Sequence, residues 1–128
     1  MRFVIIGNGK MCIDCVNIIL KSNNSIISLV IFSEKLDKKG QIKNYLKEKN
    51  LDFISTLTLN GEYVRHSIKK SLPDYILNIN SFWIIKDYIL SIPNIASVNF
   101  HNGYLPSYGG VNIPHWAIIN GEISHGIT

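Results

Sequence analysis

The feature that most constrains this chain is an alternation repeated along its length. A short run of apolar, largely β-branched residues is followed by a turn, and then by apolar residues at helical spacing. Arg2 to Ile6 is the first run and ends at Gly7-Asn8-Gly9. Cys12, Cys15, Val16 and Ile19 then mark one face of a helix over Met11 to Leu20. Ser25 to Phe32 is continuously apolar and reads as a strand buried on both faces. A helix over Gln41 to Glu48 turns Ile42, Tyr45 and Leu46 inward, and Asp52 to Leu59 holds a short edge strand. Glu62 to Leu72 is helical through Val64 and Ile68, Tyr75 to Asn80 is the next strand, and Ile84 to Ile92 the next helix. Pro93-Asn94 then delivers the chain to a strand opening at Ile95. Such alternation predicts an α/β domain, an open and mostly parallel Rossmann-like sheet with helices on both faces and right-handed crossovers. Sites in these sheets lie beyond the carboxyl ends of the strands, which gathers Asn8, Ser33, Asn80-Ser81 and the end of the Ile95 strand along one edge.

At 128 residues the chain is one domain, long enough to bury a core. A net charge of +4 suits an anionic small substrate and is too little to argue for nucleic acid. Several of the lysines are mixed with acids between Glu34 and Asn50, a solvated face rather than a basic patch. No stretch is long enough to span a bilayer, and the opening apolar run is too short for a signal peptide, so a cytoplasmic setting is expected. Cys12 and Cys15 form a C-x-x-C on the apolar helix face. They read as small buried hydrophobes, since two thiols do not complete a four-ligand metal site and no metal is expected. The Gly7-x-Gly9 turn suggests dinucleotide binding only weakly. Cys12 stands where the fingerprint has its third glycine or alanine, and the acid expected after the second strand is offered only by Glu34.

The last quarter carries the chemistry. Asn99 and His101 alternate about Phe100 at the end of the final strand, so both are expected on the same face. An amide donates to a developing oxyanion, and an imidazole donates or shuttles a proton. Gly103, Pro106, Gly109 and Gly110 then break regular structure. A short helix follows, with Asn112 as N-cap, Pro114 in its first turn and Gly121 just past its end. His125 to Thr128 reads as the start of another strand.

The run N-x-H-x-x-x-L-P-x-Y-x-G followed by W-A-I-x-x-G-E-x-x-x-G-x-T resembles the signature of the folate-dependent formyltransferases. That family includes the methionyl-tRNA, glycinamide ribonucleotide and amino-sugar N-formyltransferases. The matching positions are Asn99, His101, Leu105, Pro106, Tyr108, Gly110, Trp116 to Ile118, Gly121, Glu122, Gly126 and Thr128. The resemblance implies formyl transfer from 10-formyltetrahydrofolate to a primary amine, with Asn99 and His101 catalytic. It implies a folate pocket at Phe82, Trp83 and Ile84, and a substrate loop of Asn8, Gly9, Gly103, Tyr104, Leu105, Pro106, Tyr108 and Gly110. The form of the tryptophan segment, with His125 before Gly126, points to an amino sugar linked to a nucleotide, or an aminoacyl group, rather than to tRNA. The family's third catalytic residue, an aspartate, falls beyond Thr128, and Asp14, Asp37, Asp52, Asp74 and Asp87 all lie in other elements. The expectation is an N-terminal formyltransferase domain over residues 1–128, incomplete at its C-terminus, inactive or nearly so alone unless completed by a further segment or partner. The alternatives are a catalytically inactive remnant that binds folate or a partner, and a dinucleotide-binding Rossmann protein.

Overall fold

The computed structural model describes residues 1–110 and 112–128. Five strands form one parallel sheet in the order β3-β2-β1-β4-β5, with β1 Arg2–Gly7, β2 Ile26–Ser33, β3 Phe53–Thr56, β4 Tyr75–Ile79 and β5 Ala96–Phe100. The helices are α1 Gly9–Leu20, α2 Gln41–Glu48, α3 Glu62–Lys70, α4 Asp87–Leu90 and α5 Ile113–Ile119.

β1 lies at the centre, and Val4, Ile5 and Ile6 are wholly buried because both faces of the sheet are covered. Strand alternation sorts its side chains between two cores. Ile5 faces Cys12, Val16, Ile42 and Leu46 of α1 and α2, whereas Val4 and Ile6 face Val64, Ile68 and Ile89 of α3 and α4. The β1–β2 register slips between Phe3 and Val4, leaving Ser28 as an extra residue whose hydroxyl donates to the Phe3 carbonyl at 3.1 Å.

The turn after β1 owes its glycines to space and backbone geometry. A Cβ on Gly7 would stand 2.6 Å from the Ile79 carbonyl oxygen, and Gly9 has φ +66°. Tight contact between β1 and β4 accounts for this G-x-G turn.

Three local expectations differ from the structure. The helix over Ile84 to Ile92 shrinks to the single turn of α4, because the Asn60 side chain takes the Ile84 carbonyl that its first turn would use. Asn112 stands at the N-cap of α5 as expected. It adopts a left-handed conformation, φ 57°, and makes no side-chain cap bond. Residues 125–128 form no strand, although Thr128 and His101 exchange both backbone hydrogen bonds, at 2.9 and 2.7 Å, as an antiparallel pair does. Among the described residues no helix is long and apolar enough to cross a membrane.

Candidate active site

The carboxyl ends of β1, β4 and β5 open into a cavity of about 940 Å3. It extends from Asn8 to the first turn of α5. It includes the point between β1 and β4 where strand order reverses, and a crevice opens there because successive crossovers run in opposite directions.

Asn8 leaves β1 almost wholly buried. Its Oδ1 accepts the Ser33 amide of β2 at 3.0 Å, so the side chain braces two strand ends instead of capping α1. Its Nδ2 and the Ser33 hydroxyl are buried and have no protein partner. Buried donors of this kind mark a place where water or a ligand completes the bonding.

β5 brings Asn99 to the lip of the cavity, in register with Asn78 of β4. Asn78 Nδ2 donates to Asn99 Oδ1 at 2.7 Å. That bond holds the carbonyl end of the Asn99 amide, leaving its NH2 as the end presented to a ligand. Asn78 Oδ1 is itself buried without a protein partner.

His101, just past β5, is half-buried and lines the same cavity. Its Nε2 lies 2.5 Å from the Tyr108 carbonyl oxygen. A carbonyl only accepts, so Nε2 carries a proton, and Nδ1 is the ring nitrogen not committed to the loop. The loop that supplies this carbonyl is tied down by the other positions of the C-terminal run. Tyr108 donates its hydroxyl proton to Glu122 at 2.5 Å, and that carboxylate raises the phenol's pKa above its ordinary value. Thr128 Oγ1 donates to the Gly103 carbonyl at 2.8 Å and accepts the Leu105 amide at 3.3 Å. A Cβ on Gly103 would meet Ile113 at 2.5 Å.

On the far wall the 81–86 segment contributes Phe82, Trp83 and Ile84. Phe82 and Ile84 are exposed, whereas Trp83 is half-buried against the Val4–Ile6 core with its ring centroid 5.0 Å from that of Phe82.

Of the residues expected from sequence, the cavity therefore gathers Asn8, Phe82, Trp83, Ile84, Asn99, His101 and Gly110. Gly9, Gly103, Tyr104, Leu105, Pro106 and Tyr108 do not line it; the last five belong to the loop that holds His101 from behind. Sequence reasoning missed Asn78, Asn112 and His115. Asn78 stands within the run read from sequence as a strand, two before the Asn80 already placed at the edge, which is a readable signal, although Asn80 itself lies past β4 with φ 51°; the other two enter only because α5 folds across the cavity. No aspartate or glutamate lines the cavity among the described residues, and no three metal-ligating side chains gather there.

Comparison with known proteins gives a consistent result. The methionyl-tRNA formyltransferase of Alkaliphilus oremlandii is 29% identical over 134 residues, an alignment covering all of this chain and 43% of that protein. Its counterpart in Flavobacterium johnsoniae is 25% identical over 134 residues, covering all of this chain and 42% of that protein. The chain thus spans less than half the length of these curated relatives. Among solved structures, the phosphoribosylglycinamide formyltransferase of Bacillus halodurans superposes with TM-score 0.82 at 16% identity, covering all of this chain and 70% of that one. A formyltetrahydrofolate deformylase from Pseudomonas syringae gives TM-score 0.78 at 15% identity, covering 99% of this chain and 44% of that one. Those two likenesses show a shared fold. The family model described as formyl transferase matches residues 1–128, the whole of the sequence, and this chain belongs to the formyl transferase family.

Proposed function

We propose that residues 1–128 are the N-terminal catalytic domain of an enzyme that moves a formyl group from 10-formyltetrahydrofolate to a primary amine. The observation that carries this reading is the single cavity shared by Asn99, His101 and the Phe82–Trp83–Ile84 wall. An apolar wall with a few convergent polar groups suits a pterin, and a free amide NH2 at the lip suits the formyl oxygen.

In the reaction the amine lone pair attacks the formyl carbon, forming the new C–N bond and placing negative charge on the formyl oxygen. Asn99 Nδ2 donates to that oxygen as the charge develops. His101, with Nε2–H committed to Tyr108, uses Nδ1 to take the proton released by the amine nitrogen. The oxyanion then collapses, the bond to N10 of the folate breaks, and N10 receives the proton that His101 took from the amine, releasing tetrahydrofolate and restoring the imidazole. The resemblance also implies a catalytic aspartate, and no carboxylate is among the described residues that line the cavity. The acceptor we favour is a small amine, an amino sugar carried on a nucleotide, or an aminoacyl group, ahead of tRNA. Such an enzyme would work in the cytoplasm.

The test is binding of 5-formyltetrahydrofolate, a stable isomer of the donor, followed by Trp83 and Trp116 fluorescence. Formyl transfer is then assayed with an amino-sugar nucleotide, glycinamide ribonucleotide and methionyl-tRNA. The expected result is saturable folate binding, and a turnover in which Asn99→Ala is slower by about a hundredfold or more, the loss of about 2.7–4 kcal/mol of barrier stabilisation typical of one preorganised donor. Near-wild-type turnover in that variant, or binding of NAD but not of the folate, would overturn the assignment.

A further inference from the structure

Asn60 lies outside the cavity, just before α3, yet it is bonded twice to the segment that forms the far wall and once to α4 behind it. Its Nδ2 donates to the Ile84 carbonyl at 3.1 Å, its Oδ1 accepts the Lys86 amide at 3.4 Å, and its own carbonyl accepts the Tyr88 hydroxyl at 2.9 Å. These partners are 24 to 28 residues away in the chain. The Tyr88 ring is covered in turn by the Arg65 guanidinium of α3, 5.4 Å from its centroid.

The consequence is a choice of backbone conformation. Ile84 to Ile92 has the apolar spacing of a helix, and a helix begun at Ile84 would use the Ile84 carbonyl to accept the amide of residue 88. In the structure Asn60 occupies that carbonyl. The first helical bonds instead run to the Lys86 carbonyl, from Ile89 and Leu90 at 2.8 and 3.1 Å. Residues 84–86 therefore stay out of the helix, Ile84 projects into the opening at 81% exposure, and Trp83 and Ile85 pack back against the core.

We infer that Asn60 is a positioning residue for the folate slot: by taking the Ile84 carbonyl from the helix and tethering the Lys86 amide it keeps the Phe82–Ile84 wall in its binding conformation. This rests on the reading of that wall as the pterin site. Asn60 touches no reacting atom, so its loss should weaken folate binding without altering the Asn99–His101 chemistry.

The experiment measures wall and ligand separately in the full 128-residue chain. Backbone chemical shifts of residues 82–88 are recorded without ligand for wild type, Asn60→Ala and Asn60→Asp; the last keeps the shape and loses the donor to Ile84. Titration with 5-formyltetrahydrofolate then gives each Kd from Trp83 fluorescence. Both variants are expected to move the shifts of Ile84 to Lys86 toward helical values and to weaken folate binding tenfold or more. Shifts that stay at wild-type values, or shifts that move while the Kd does not, overturn the role of Asn60. If the wild-type chain binds no folate, the functional reading falls and takes this role with it, whatever the shifts do. Should Asn60→Ala fail to fold, Asn60→Asp decides the matter by the same two readouts.

Discussion

At the scale of single residues, Asn78 has a consequence the C-terminal run alone does not suggest. Its NH2 holds the Asn99 carbonyl oxygen at 2.7 Å and so determines which end of the Asn99 amide faces the cavity. With a carboxylate at position 78, the Asn99 NH2 would turn toward it and be lost to the formyl oxygen. Asn78→Asp is thus expected to lower kcat tenfold or more, with little change in folate Kd or in the urea midpoint. Turnover and binding measured on the same sample check this. Cys12 makes a second residue-level case. Burial, assisted by neighbouring Cys15, pushes its thiol from 9.0 up to about 12. The folded state therefore holds this proton more tightly than the unfolded chain does. The sign follows directly: the stabilisation is complete below pH 9 and is lost as pH rises from 9 toward 12. Three pH units correspond to at most about 4 kcal/mol, at 1.36 per unit. Cys12→Ser or a similar uncharged variant should flatten the alkaline limb of a stability-against-pH curve. In the native chain Cys12 should resist alkylation at pH 8.

At the scale of elements, the β1–β4 contact leaves no room for a side chain at Gly7. A methyl on Gly7 would press on the Ile79 carbonyl, a backbone atom with no freedom to rotate away. Gly7→Ala should cost about 1–3 kcal/mol of stability, as overpacking does, read as a lower urea midpoint at unchanged slope. It should also disturb the cavity, because Asn8 follows directly and its amide donates to the same carbonyl at 3.3 Å. α4 shows the opposite relation between pattern and structure. Its apolar spacing was legible, and Ile89 is buried as that spacing requires, but the length of the helix was not, since Asn60 lies in another element.

At the scale of the whole molecule, stability should be graded from the sheet outward. Ile5, Ile6, Val30, Ile31 and Ile76 are buried in strands bonded on both sides, whereas residues 101–128 bury only Gly103, Ile113 and Ala117 among those described. Amide exchange is expected to be slowest in β1, β2 and β4, and faster by orders of magnitude between Tyr104 and Ile127. His101 and Thr128, which exchange backbone bonds, should be better protected than the fast region they flank. Uniform protection across the chain would show that the C-terminal part is as cooperative as the sheet.

The amino-acid sequence by itself determined the parallel sheet and its two cores. Largely apolar runs such as Ser25 to Phe32 have no other way to bury both faces, and 3.6-residue spacing marks the helices that cover them. It also determined that polar groups would collect at the carboxyl edge, because Asn8, Ser33 and Asn99 each stand within a residue of a strand's end. Only the tertiary structure decided which end of the Asn99 amide is free, which imidazole nitrogen of His101 is committed, and how far α4 extends. Those outcomes depend on hydrogen bonds from Asn78, Tyr108 and Asn60, residues 7 to 28 positions away from the groups they orient, and no local pattern encodes a partner at that distance.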